Sequence, residues 1–276
     1  MNLHANWISA RAECILQQQP MFHIKAVFNH VINLESDGEI IAVQTAKAAR
    51  TPFAVQVSEQ QFAKLSATLR SDRIKLTVTG PPAADCRLPL SELPPTDQWL
   101  MKLRKLISTL ALSDSFAFLV DPLWTTVSQP TPLQCRAHEV LEEADGPISK
   151  ADFRSIARTL QSLSGLGQGL TPAGDDFLIG VLAACTRFPH SGMDSLRKEL
   201  GNAITKTLDS CTWLSKALLA CAAEGEFSPS IHDILTAQRD TDLARAVSAG
   251  IAWGHTSGAD TLGGILWALQ TAAKHK

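Results

Sequence analysis

A change of hydrophobic period part-way along the chain does most to limit the folds open to it. From Phe22 to Val78 several stretches alternate apolar and polar residues or favour β-branched ones: FHIKAVFNHVIN, GEIIAVQ, TPFAVQV and RIKLTVT, the last with Ile74, Leu76 and Val78 in strict period two. Period two puts apolar side chains on one face of a strand. A short helix interrupts these strands, because SEQQFAKLSATL opens on Ser58 with Gln61 three residues later, the spacing of a capping box. After about residue 134 the period becomes helical. Ser149 and Asp152 mark a capped start, and Phe153, Ile156, Ala157, Leu160 and Leu163 follow the three-and-four spacing of a buried stripe. Similar stripes run through 193–207, 211–224, 240–253 and 261–274. The expected fold is α+β: a β-rich N-terminal part over 1–130, built as a small barrel or an open sheet, then an all-helical domain over 131–276. GPPAAD and ELPPTD read as turns, and the proline-rich DPLWTTVSQPTP reads as the connection between the two parts.

Composition narrows the function classes. At 276 residues and 45% hydrophobic content the chain can bury a large core, close to the size at which cores divide. A net charge of −2, with no Lys/Arg run interleaved with aromatics, argues against nucleic acid as a partner. The opening MNLHANWISARAEC is polar where a signal peptide needs an apolar stretch, and the longest apolar run, FLIGVLAAC, is too short to span a bilayer. A cytoplasmic protein with no membrane contact is therefore expected. The cysteines at 14, 86, 135, 185, 211 and 221 form no CxxC, and Cys185 and Cys221 sit in Ala- and Leu-rich helical patterns. They are expected to be reduced structural thiols rather than disulfide or zinc ligands.

The chemistry gathers at two expected helix starts. In SGLGQGLTPAGDD, Gly165, Gly167 and Gly169 alternate ahead of Thr171 and Pro172, then Gly174, Asp175 and Asp176 lead into the apolar face of Phe177, Leu178, Val181, Leu182 and Cys185. Thr171 suits an N-cap and Pro172 the first helical position. Glycines let backbone approach a ligand, and a helix start attracts negative oxygen. No GK[ST] follows, so this is not a Walker loop. The second start, GHTSGADTLGG, holds His255, Thr256, Ser257, Gly258, Asp260 and Thr261. Ser257 and Asp260 have capping-box spacing, yet capping leaves the surrounding density of small and polar residues unexplained, whereas a bound ligand accounts for it. Several blander roles stay open at this point: dipole-complementing acids for Asp175 and Asp176, a structural histidine for His255, and helix contacts for the glycines.

GLGQGLTPAGDDFLIGVLAA and AWGHTSGADTLGGILWAL, with TLDSCTWLSKALLACAAEGEF between them, resemble the AllH-type family over about residues 150–270. That resemblance implies a subunit of oxamate carbamoyltransferase in anaerobic allantoin and purine breakdown, encoded beside FdrA-like and AllG-like partner subunits. It also implies the reaction: oxalurate and phosphate give oxamate and carbamoyl phosphate. Each of those molecules has an anionic end and an amide NH2, so a site needs donors for one and acceptors for the other. Backbone N–H groups of the glycine loops, with Thr171, Thr256 and Ser257, suit the anion. Asp175, Asp176 or Asp260 suit the NH2, and His255 suits proton transfer beside Asp175 and Asp260. Ser210 and Thr212, in the segment between, are further substrate-binding candidates. No cofactor is called for, although acids beside an anion also raise the alternative of a divalent cation at Asp175, Asp176 and Asp260. Two other readings are a non-catalytic scaffold subunit that binds a small anion, and a metal-dependent hydrolase of an ADP-ribose-like substrate. The latter rests on a loose similarity of GADTLGGILWAL to the Asp-Thr helix starts of ADP-ribosylglycohydrolases.

Overall fold

A computed structural model describes residues 1–19, 21–68, 73–190 and 192–273. By internal contacts the chain divides into one unit of Met1–Arg87 with Phe227–Pro229, and a second of Leu88–Glu226 with Ser230–Lys276.

The first unit contains β1 (Asn2–Ile8), α1 (Ala10–Gln18), β2 (Met21–Val27), β3 (Val31–Ser36), β4 (Glu39–Gln44), β5 (Ala54–Val57), α2 (Glu59–Thr68), β6 (Arg73–Lys75) and β7 (Thr77–Thr79). The strands form one sheet in the order β6-β2-β3-β4-β5-β1-β7. RIKLTVT, expected as one strand, is divided at Leu76: its first half pairs with β2 at one edge of the sheet and its second half with β1 at the other. A single residue therefore joins the two edges, which obliges the sheet to curl on itself. Of the two forms the sequence left open, the outcome is a curled sheet approaching a barrel. The period-two pattern holds, with Leu76 buried and Arg73, Lys75, Thr77 and Thr79 exposed. Asp37 and Gly38, both at positive φ (49° and 84°), make the two-residue turn between β3 and β4. The expected capped helix is α2, where Ser58 Oγ accepts from Gln61 N at 3.3 Å. Gln61 does not return the bond as a capping box would; its side chain reaches the backbone of His4 on β1 instead. Leu69 and Lys274, which end two of the expected helices, lie outside the described residues.

The second unit is helical: α3 (Asp97–Leu110), α4 (Pro132–Ser149), α5 (Phe153–Gln161), α6 (Ala173–Arg187), α7 (Met193–Thr205), α8 (Trp213–Ala223), α9 (Pro229–Thr236), α10 (Asp240–Ile251) and α11 (Ser257–Ala273). The contact division falls at Leu88, before α3 and ahead of the proline-rich segment that begins at Asp121, because α3 packs on α10 and α11. Two helices form the centre. Every residue from Gly174 to Thr186 is buried, as is nearly all of α11, the pattern of helices enclosed on all sides. They approach so closely that a Cβ at Gly180 would lie 2.0 Å from the Thr261 carbonyl oxygen, and one at Gly264 would lie 1.9 Å from that of Phe177. Only glycine fits at such a crossing. The crossing also sets the starts of α6 and α11 side by side. Among the described residues no helix is long and apolar enough to cross a membrane, and the cysteines are free thiols.

Candidate functional site

The loop ahead of α6 takes its shape from alternate glycines. Gly165, Gly167 and Gly169 have φ of 74°, 134° and 88°, a region that disfavours side-chain-bearing residues. Backbone alternating in this way is the kind that forms anion-binding nests. Among the described residues, no acceptor meets the N–H groups of 167–171. The first turn of α6 is different. Gly174 N donates to Leu166 O at 2.8 Å, while Asp175 N and Asp176 N donate to Pro172 O at 2.9 and 3.1 Å. The N–H groups without an acceptor are therefore those of the loop and of Ala173, the first residue of α6. Thr171 is not the N-cap, since Pro172 occupies that position without a side-chain bond. The Thr171 hydroxyl instead meets the Ser257 hydroxyl at 3.0 Å, joining the two glycine-rich segments 86 residues apart in sequence.

Beside that contact lie three buried carboxylates: Asp175 0%, Asp176 1% and Asp260 0% exposed. Asp175 Oδ1 accepts from Gly165 N at 2.8 Å and Ser164 Oγ at 3.2 Å, closing the glycine loop back onto its helix. Asp260 Oδ1 accepts from Phe116 N at 2.6 Å, so Asp260 is not the partner of Ser257 in a capping box. In all three residues Oδ2 is buried without a hydrogen-bond partner. Burial pushes the Asp176 carboxyl well above the ordinary carboxylate range; the Ser257 hydroxyl opposes this, the Asp260 and Asp175 charges reinforce it, and the Thr171 hydroxyl opposes it more weakly. Asp260 is pushed to about 7, chiefly by burial, against the lowering effects of Phe116 N–H and the Thr256 hydroxyl and with a further rise from Asp114. Among the described residues no three His, Cys, Asp or Glu side chains form a group able to hold a metal ion.

The other expected site residues divide between support and exposure. Thr212 caps α8 by accepting from Ser215 N, and its hydroxyl also donates to Leu170 O, pinning the glycine loop. Gly174 and Gly258 are positions of close backbone approach: a Cβ there would lie 1.9 Å from Leu163 O and 1.8 Å from Gly250 O. These are approaches to the turn after α5 and to α10, whereas a Cβ at Gly165 or Gly169 would meet nothing within 4 Å and one at Gly167 would lie 2.6 Å from Ala173 N. Thr261 returns its hydroxyl to Ser257 O at 2.9 Å inside α11. Ser210 bonds Thr207 O at 2.7 Å on an exposed turn, and His255 is exposed in the turn before α11.

Three participants escaped the sequence argument. Ser164 links Asp175 to Cys211, whose Sγ lies 3.4 Å from Ser164 Oγ. Burial raises the Cys211 thiol, Ser164 lowers it, the Asp175 charge raises it and Lys216 lowers it. The Phe116 amide serves Asp260 across 144 residues of sequence, and Gln134, 1% exposed, holds Ser113 O and Ser115 O beside it at 2.8 and 3.0 Å. Ser164 was in principle visible as the polar residue that starts the glycine run. The distant amide of Phe116 leaves no mark in composition or spacing.

Residues 163–269, which span both glycine-rich segments, match the family model described as oxamate carbamoyltransferase subunit AllH. Residues 4–80 match the AllH family N-terminal domain. A local likeness, 41% identical over 59 residues, links the chain to the protein translocase subunit SecD of Acidaminococcus fermentans. That stretch is 21% of this chain, which spans 14% of the length of that relative. No solved structure matches the chain. With two models of one family together matching more than half of its residues, the chain belongs to the AllH family, the family of the oxamate carbamoyltransferase subunit AllH.

Proposed function

We propose that this chain supplies the anion-binding part of a carbamoyltransferase that interconverts oxalurate plus phosphate with oxamate plus carbamoyl phosphate, in allantoin (purine) catabolism. The observation that carries this reading is the Thr171–Ser257 contact, which joins the two glycine-rich segments beside three buried carboxylates, each with an unpartnered Oδ2. In phosphorolysis a phosphate oxygen bonds to the carbamoyl carbon. The bond from that carbon to the oxamate nitrogen breaks, its electron pair goes to the nitrogen, and the nitrogen takes a proton. The unbonded N–H groups of 167–171, with the hydroxyls of Thr171, Thr256 and Ser257, suit the phosphate or carboxylate oxygens. Asp175 and Asp260, each with one free oxygen, suit the substrate NH2 groups or the proton transfer. His255, exposed beside the second segment, suits proton exchange with solvent. Its cytoplasmic partners in this reading are FdrA-like and AllG-like subunits.

The test is phosphate-dependent oxalurate cleavage by the purified chain, alone and mixed with those partners. Turnover confined to the mixture, and lost in Asp175→Ala and Asp260→Ala complexes that still assemble, is the expected result. Wild-type turnover by both assembled variants would leave the chain as the non-catalytic scaffold subunit.

A further inference from the structure

Two features of the site face the same requirement. The N–H groups of 167–171 lack acceptors, and Asp176 and Asp260 each bury an oxygen that bonds to nothing in the protein. A buried carboxylate oxygen that is charged and unpartnered is costly, whereas the same oxygen carrying a proton is a donor. Among the described residues, no Lys, Arg or His is one of the groups that shift either carboxyl. The groups acting on Asp176 are Asp175 and Asp260 with the hydroxyls of Thr171 and Ser257. Those acting on Asp260 are Asp114, the Thr256 hydroxyl and the Phe116 amide. Like-charged carboxyls crowded in a dry site keep protons rather than ionise together. Loop amides and protonated acids then both ask for acceptor atoms, as an anion provides.

We propose that the site binds its anion together with a proton held by the Asp176–Asp260 pair. This rests on the functional reading above for the class of ligand, a small phosphate- or carboxylate-bearing molecule, and adds the thermodynamic condition for its binding. Burial and the neighbouring Asp260 and Asp175 charges favour the protonated form of Asp176. Asp260, pushed to about 7, is the group that takes one up as the anion arrives. The pair thus explains how acids and an anion share two adjoining helix starts, and it stores the proton that a leaving oxamate nitrogen requires.

Calorimetric titration of the full chain, and of its complex with the partner subunits, with oxamate and with sulfate tests this, because neither probe titrates near neutrality. Run in buffers of different ionisation enthalpy, the titrations are expected to show uptake of up to about one proton per anion, with affinity falling by at most about tenfold per pH unit above pH ~7. Asp260→Asn should flatten that dependence. Binding that is indifferent to pH and buffer overturns the proton linkage even if oxalurate turnover stands. Proton-coupled binding without turnover keeps the linkage and sinks the reaction, and failure to bind either anion in any assembly state overturns both. Independently of ligand and of any variant's folding, difference infrared spectra of the wild-type chain should show a protonated carboxyl C=O band that is lost on raising the pH. A chain without that band at neutral pH overturns the proposal outright.

Discussion

At the scale of single residues, Asp260 makes the pH dependence of stability calculable. Its carboxyl, ordinarily near 3.8, is raised to about 7 in the folded chain. Between those values the native state keeps a proton that the unfolded state has released, so stability falls as pH rises through the window. Above it both states are ionised and the contribution is flat. The predicted loss across the window is on the order of 4 kcal/mol. Urea unfolding of Asp260→Asn, which retains an oxygen for Phe116 N, should show a shallower slope, the remainder coming from Asp176, whose carboxyl is also raised; an unchanged slope would contradict the assignment. Asp175 acts through geometry instead. Its Oδ1 satisfies Gly165 N and Ser164 Oγ, so Asp175→Ala strands a backbone donor and a hydroxyl, with an expected cost of about 2–3 kcal/mol in chemical denaturation. Asp175 was legible as a site candidate from its place after the glycine run, and Asp260 from the small and polar residues around it in GHTSGADTLGG. That they are buried was not, because the first turn of a helix is exposed unless another element covers it.

At the scale of elements, one substitution has opposite signs in different helices. Gly180→Ala or Gly264→Ala would drive a Cβ into the facing backbone at 2.0 or 1.9 Å, and rigid helix backbone cannot yield that distance. Each should lower stability by more than about 3 kcal/mol or prevent folding. In α7, Gly201→Ala would meet Ala223 Cβ at an ordinary 3.8 Å and should raise the melting temperature, in line with a gain of about 0.5–1 kcal/mol. Differential scanning calorimetry of the three variants checks both signs. Element positions followed from the apolar stripes: 193–207, 211–224, 240–253 and 261–274 correspond to α7, α8, α10 and α11. The caps were less legible. Thr171 and Ser257 are both good capping residues by type, but each found the other's hydroxyl across the helix crossing. Local capping bonds and tertiary bonds are of similar strength, so packing chooses between them.

At the scale of the molecule, Leu76 is the position on which the first unit depends, since it alone separates the strands at the two edges of the sheet and is itself 2% exposed. Leu76→Ala should destabilise that unit by about 2–5 kcal/mol. Hydrogen exchange is expected to quicken in β6 and β7 before it does in β3 and β4; uniform loss of protection would speak against an edge-joining role. β1 shows why such architecture is hard to read in advance. NLHANWI has polar residues through its exposed face and no turn signal ahead of it, yet it lies between β5 and β7. The sequence by itself determined the α+β class, the helical periodicity of the second part and the two glycine-rich segments. Each of these is a local property, expressed within one or two turns of chain by period, side-chain type and permitted φ. Tertiary structure alone decided that RIKLTVT serves two edges, that Asp175, Asp176 and Asp260 meet in a dry interior, and that an amide 144 residues away satisfies one of them. Those outcomes depend on which surfaces come into contact, and contact between distant segments is a global balance of burial and hydrogen bonding that no local pattern records.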